Sequence, residues 1–229
     1  MATAITSWNK HITNKLNRAP SVLIEATVID AVREFCEETH IWSVFCSDID
    51  VVADTNSYDL KAAVPSLANI VAIKSIRYKE AKADDTEGDD DDYFFLTPVS
   101  EEIEEQVRSG SWIFDEADVP SEYYVDENWL IAFTTIPTHS STDAIRANVY
   151  VKPTEADTTV EDFIYRDHRD AITYGALYRL YEMTSMPWAD LKLSEYFKTK
   201  FIDKCSDVKF IKYTGKTQKQ IKINFPRFF

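Results

Sequence analysis

The hydrophobic period of this chain changes twice along its length, and that change limits the available folds more than any other feature. Near both ends apolar residues recur at helical spacing, whereas between Phe45 and Pro153 they recur at strand spacing. Ile5, Trp8, Ile12 and Leu16 predict a short amphipathic helix over 5–16. A second helix is predicted from Ser21 to Trp42, in which Val28, Val32, Phe35, Cys36 and Thr39 line one face. Glu25, Asp30, Arg33, Glu34, Glu37 and Glu38 line the other, and Pro20 with Ser21 marks its start.

The middle predicts strands at 49–52, 57–60, 70–79, 93–97, 111–115, 122–125, 129–134 and 145–152. The last alternates most cleanly, with Ile145, Ala147, Val149 and Val151 set against Arg146, Asn148, Tyr150 and Lys152. Asp126, Glu127 and Asn128 read as a hairpin turn, and 100–108 as a helical turn within the β region. Helices return at 160–183 and 189–208, separated by Ser185, Met186, Pro187 and Trp188. The first of these carries Gly175 and Ala176 at the centre of its apolar face, where small residues admit a second helix closely. On the second, Leu193, Phe197, Phe201 and Cys205 repeat every four residues. The expected class is α+β: a helical bundle of one N-terminal and two C-terminal helices, with an antiparallel β domain inserted and a C-terminal arm. The segments are 1–43, 44–158, 159–208 and 209–229.

A content of 45% hydrophobic residues supports a real core at a length of 229 residues. No run of about 18 apolar residues predicts a membrane span, and the first residues lack the apolar stretch of a secretory signal. Cys36, Cys46 and Cys205 are odd in number and irregular in spacing, so they read as reduced thiols of a protein made in a cytoplasm rather than a disulfide frame.

Charge is distributed unevenly. The whole chain carries −14, yet Lys209, Lys212, Lys216, Lys219, Lys222 and Arg227 give the last segment +6 with no acid, leaving −20 on the rest. Such a body repels nucleic-acid phosphate, which argues against specific DNA binding. The basic arm, with Phe225, Phe228 and Phe229 near its end, suits a negatively charged protein neighbour instead.

No nucleotide-binding, hydrolase or zinc-protease motif is present, so neither a catalytic residue nor a cofactor is expected. Residues 84–92 are rich in aspartate but fail the calcium-loop pattern, since Ala83 stands where an acid is needed before Gly88. Cys36, His40 and Cys46 lack a fourth ligand nearby, and Cys36 lies on the apolar face as a buried thiol does. No metal site is therefore expected. Asp167, His168 and Asp170 sit beside Arg166 and Arg169, which favours an ion-pair cluster over acid–base work. Trp112, Trp129, Tyr123, Tyr124, Tyr150 and Phe133 favour packing over a sugar platform.

Two blocks resemble a known family. IDAVREFCEETHIW resembles the first core helix of phage head-to-tail connector proteins, a helix of the form A-x-x-E-F-C followed by tryptophan. DHRDAITYGALYRLYEMTSMPWADLKLSEYFKTKF resembles their C-terminal helical hairpin, with A-I-x-x-G-A-L-x-x-L leading through P-W. The resemblance implies an adaptor in the virion, at the head–tail junction: a closed ring, usually of about twelve copies, that joins portal to the next tail or nozzle protein. DNA would pass through the ring without specific binding, and no membrane is involved. It further implies that Phe35, Cys36 and Trp42 form the first helix and its exit. Ala171, Ile172, Gly175, Ala176, Leu177 and Leu180 become helix-packing positions, and Pro187 with Trp188 fixes the turn. The arm would dock on a partner, so a chain cut after Val208 should fold yet fail to dock. The competing reading is another virion protein, or a β-sandwich module that binds carbohydrate or protein.

Overall fold

The computed structural model of the protein describes residues 2–16, 19–65, 68–79, 93–99, 115–117 and 119–214. In chain order come β1 (Ala2–Ala4), a 3-10 turn (Ile5–Trp8), α1 (Asn9–Thr13) and α2 (Ser21–Thr39). Then follow β2 (Ser43–Phe45), β3 (Ile49–Val51), β4 (Ser57–Asp59), β5 (Ala68–Lys79), β6 (Tyr93–Phe95) and β7 (Thr97–Pro98). Next are β8 (Asp115–Ala117), β9 (Glu122–Val125), β10 (Leu130–Phe133), β11 (Thr135–Pro137) and β12 (Ser141–Pro153). The chain closes with β13 (Thr159–Glu161), α3 (Asp162–Glu182) and α4 (Leu191–Thr214). The class is α+β, and the chain divides into two compact units, Met1–Ile41 with Glu155–Phe229 and Trp42–Thr154.

In the helical unit, β1 pairs antiparallel with β13, and the Ile5 N–H donates to Thr158 O at 2.9 Å, joining the N-terminal segment to the start of α3. The stretch predicted as one helix over 5–16 is therefore a 3-10 turn followed by a short α-helix. Ile5, Trp8, Ile12 and Leu16 are nevertheless all buried, so the apolar spacing marked the right residues and the wrong regularity. Trp8 is fully buried; its ring stands edge-on to Tyr165 at 4.7 Å, and its indole N–H donates to Arg169 O at 3.4 Å. The helix predicted from 160 begins instead at Asp162, because Thr159–Glu161 belong to the strand ladder.

α2 buries Ile24, Val28, Ala31, Val32, Phe35 and Cys36. α3 meets it with Ala171, Ile172, Gly175, Ala176, Leu177 and Leu180, and α4 with Phe201, Cys205 and Val208. Gly175 sits where the three helices converge. A Cβ there would lie 2.9 Å from Ala31 Cβ and 3.0 Å from the Phe201 ring. At the polar margin of this contact the Arg179 guanidinium pairs with Glu34, and the Tyr178 hydroxyl donates to the same carboxylate at 2.8 Å. The turn into α4 is held by the Trp188 indole N–H on Leu180 O at 3.1 Å, while Pro187 is exposed. Asp190 Oδ1 accepts the N–H groups of Lys192 at 3.0 Å and Leu193 at 3.1 Å, an N-cap that starts α4 two residues after the predicted Ala189.

The β unit contains a sheet of order β2-β12-β5-β6, with β3 also pairing β12, and a sheet of order β4-β10-β9-β7. Inward residues of β12 and β5 (Ile145, Ala147, Val149, Val151, Ile76 and Tyr78) gather with Ile131 and Phe133 of β10 into one core. Trp42 is partly buried against this cluster, so it belongs with the β unit rather than with the exit of α2. In the predicted hairpin turn, Asp126 Oδ1 accepts the N–H groups of Asn128 and Leu130, both at 2.8 Å, and Trp129 takes the left-handed φ of 65° that closes it.

The expectation of a purely antiparallel domain needs correction, since β7–β9 and β8–β11 are parallel. Parallel partners require a crossover between them, and the two members of each pair are far apart in sequence. Residues 84–92, 100–108 and 111–114 lie outside the described residues.

Candidate interaction surfaces

The three thiols are enclosed by the packing just described. Cys36, Cys46 and Cys205 are free and buried. Burial pushes the Cys36 and Cys205 thiols up to about 12 and the Cys46 thiol up to about 11, from an ordinary 9.0. Thiols held in the protonated form are poor nucleophiles near neutral pH. A thiol reagent at about pH 8 should therefore label none of them until the chain unfolds. For Cys36 and Cys205 the suppression should reach about a thousandfold; rapid labelling of any thiol in folded protein would contradict this packing. Among the described residues no cluster of three or more His, Cys, Asp or Glu could hold a metal ion, and no helix is long and apolar enough to cross a membrane.

The Asp167–His168–Asp170 group is an ion-pair cluster with a kink inside it. Arg166 pairs with Asp167 at 2.8 Å and Arg169 with Asp170 at 3.6 Å. His168 leaves helical geometry at φ −126° and ψ 15°, and its ring rests 5.1 Å from that of Phe35. Of the β-unit aromatics, Phe133 and Tyr123 are core residues, and Trp129 is partly buried against the same cluster. Trp112 lies outside the described residues.

His168 is one of three histidines in the helical unit whose protonation the fold opposes. Burial holds His168 below its ordinary 6.5. Burial does the same to His11, helped by Arg169, and to His40, helped by Lys212 and Lys209. A lowered folded value means that the unfolded chain takes up these protons first. The stability contribution is thus complete above about pH 6.5, declines as pH falls below it, and is gone once pH passes the folded values. Urea unfolding between about pH 7.5 and 5.5 should show the midpoint falling with acidification. His168→Gln should flatten that dependence, and an unchanged slope would contradict the assignment.

α4 continues past Val208 through Thr214, and its lysines at 209 and 212 contact the helical unit itself. Lys209 Nζ meets Glu38 at 2.6 Å, and Lys212 Nζ donates to His40 O at 2.8 Å, placing positive charge at the C-terminus of α2. His40 caps that terminus at a left-handed φ of 49°. Lys216, Lys219, Lys222, Phe225, Arg227, Phe228 and Phe229 lie outside the described residues.

Outward from this contact α4 presents apolar side chains that the four-residue repeat did not disclose. Leu191, Ile202 and Tyr213 recur every eleven residues, three turns apart on one face, and are 63%, 52% and 91% exposed. Phe210 and Ile211 are exposed nearby. They alternate on that side with polar residues such as Lys198 and Lys209. Beside α4, a cleft of about 710 Å³ is lined by Ile41, Phe163, His168, Val208, Ile211 and Lys212 among others. The β unit exposes Phe45, Phe94 and Phe95 on its outer strands. The signal for these surfaces was present in the sequence as apolar residues on faces otherwise polar.

Comparison with known proteins identifies a family. A search of curated proteins finds none, whereas the sequence model of the family described as SU10 adaptor protein matches residues 3–209, a span that enters both compact units.

Proposed function

Because the chain belongs to the SU10 adaptor protein family, a family of phage head-to-tail adaptors, we propose that it is the adaptor subunit of a head-to-tail connector ring. The family is one of structural phage proteins rather than enzymes, and membership makes the chain a virion component with other virion proteins as its partners. The family match over 3–209 carries the proposal. In the finer reading the ring joins portal to the next tail protein and surrounds the DNA channel. The helical unit then acts as one bundle, interrupted by the inserted β domain.

Three physical features support this reading. A subunit in a ring presents one face to a different face of its neighbour, and the chain combines exposed apolar side chains with a body and tail of opposite charge. Excess carboxylate, with 39 acidic against 25 basic side chains, disfavours the counterion release that would let a channel grip phosphate. Finally, the buried polar and thiol groups are committed to packing, which suits a part that works by contact.

The arm is the element most readily tested. Because α4 runs through Thr214, the informative cut removes 215–229 rather than everything after Val208. That truncation should unfold at the same urea midpoint as the full chain. Its docking on the portal, measured by co-sedimentation, should weaken by about a hundredfold, because a ring multiplies each arm through local concentration. Docking at full strength would remove the arm from the account.

A further inference from the structure

The arm carries a second pattern besides its charge. From Lys219 to Phe225 the sequence KQIKINF alternates Ile221, Ile223 and Phe225 with Lys222 and Asn224, and contains no proline until Pro226. Strict alternation of this kind is the signature of a strand with one apolar face. It lies beyond Thr214, the last described residue, separated from it by four residues that span roughly 14 Å when extended.

The β unit offers an open place for such a strand. β2 is the terminal strand of its sheet, and among the described residues no strand borders its outer side. The Cys46 N–H donates to Ala147 O and the Val151 N–H donates to Trp42 O, both at 2.9 Å. Trp42, Val44 and Cys46 therefore direct their backbone groups toward β12, and the N–H and C=O groups of Ser43 and Phe45 point outward. The edge also lacks the usual protections. Ser43, Val44 and Phe45 include no charge and no proline, whereas β7, at the edge of the other sheet, carries Pro98. Phe45 stands 62% exposed on the face opposite Val44, which packs on the core. The opening is short, because the next outward donor, the Ser47 N–H, is already taken by Ala63 O at 2.8 Å.

We infer that residues 219–225 of one copy add as a strand to the β2 edge of a second copy, with Ile221, Ile223 and Phe225 on the face of Phe45. The occupant fits in three respects: a period of two, apolar side chains on the face where Phe45 needs cover, and positive charge opposite a body at −20. A ladder limited to Ser43 and Phe45 is weak singly, and a ring of copies supplies the multiplicity that makes it hold. In that respect the inference rests on the proposed ring.

Buried native thiols make the test clean. One full-length variant carries Ser43→Cys, which keeps Phe45 in place, and a second carries one cysteine at each position from 221 to 225 in turn. The two are mixed at up to about 1 mM, near the local concentration that short linkers impose, and oxidised gently with oxidised glutathione. The expected result is a cross-link between chains that is strong at Ile221→Cys, Ile223→Cys and Phe225→Cys and weak at Lys222→Cys and Asn224→Cys. Adding Ile221→Pro to the Ile223→Cys chain should lower the yield about tenfold by removing a ladder donor. Cross-linking at no position, or equal cross-linking at all, overturns the inference. Rings imaged without the cross-link would leave the connector reading intact and remove strand addition; the alternating cross-link without rings would do the reverse.

Discussion

Gly175→Leu is expected to destabilise the helical unit by about 3 kcal/mol or more, the upper part of the range for overpacking a close contact. The position stands where α2, α3 and α4 converge, and even a Cβ would meet Ala31 Cβ at 2.9 Å and the Phe201 ring at 3.0 Å. Glycine in a helix interior itself costs about 1 kcal/mol against alanine, so the chain gives up helix propensity here for closeness. Gly175→Ala therefore sets two opposed effects against each other. It recovers about 1 kcal/mol of propensity and incurs about 1–3 kcal/mol of overpacking, for a net loss of about 0–2 kcal/mol. Urea unfolding followed by circular dichroism should rank wild type, alanine and leucine in that order. A leucine variant as stable as wild type would mean that the helices do not approach as described.

Phe35→Ala should cost about 3–5 kcal/mol, the typical loss for emptying a core phenylalanine site. Phe35 is fully buried; its ring lies 5.1 Å from His168 and 6.5 Å from Phe201, so one truncation loosens α2 from both C-terminal helices. Domains of this kind hold only about 5–15 kcal/mol in all, and the variant should unfold at much lower urea. Phe210→Ala supplies the contrast. Its side chain is 64% exposed, and truncation should change stability by no more than about 0.5 kcal/mol. A Phe35→Ala loss as small as that of Phe210→Ala would contradict the three-helix core.

The division into helical and β regions was legible because hydrophobic period reports directly on which face a backbone buries. Val28, Val32 and Phe35 announced α2, and Ile145 through Val151 announced β12, each by its own repeat. Gly175 and Ala176 disclosed the helix junction through their size. Short elements were less legible. Ala2–Ala4 and Thr159–Glu161 become strands only because they pair with each other across the chain, and no local pattern encodes that pairing. The parallel pairs β7–β9 and β8–β11 are hidden for the same reason.

At the candidate surfaces the limits are chemical. Lysines at 209 and 212 looked like free charge in the sequence, but one pairs with Glu38 and the other caps α2 through His40 O. Charge counting cannot distinguish a cation that serves its own fold from one held out for a partner. Leu191, Ile202 and Tyr213 were masked by the four-residue repeat of the same helix, of which Phe201 and Cys205 are buried and Leu193 is exposed.

The central claim is that this chain works as one member of a closed assembly on a portal. Electron microscopy in negative stain, with full-length protein mixed with its phage's portal, tests it most directly. The account predicts closed rings of the chain seated coaxially on the portal. Molecules that stay single at 26.4 kDa beside bare portals would contradict it.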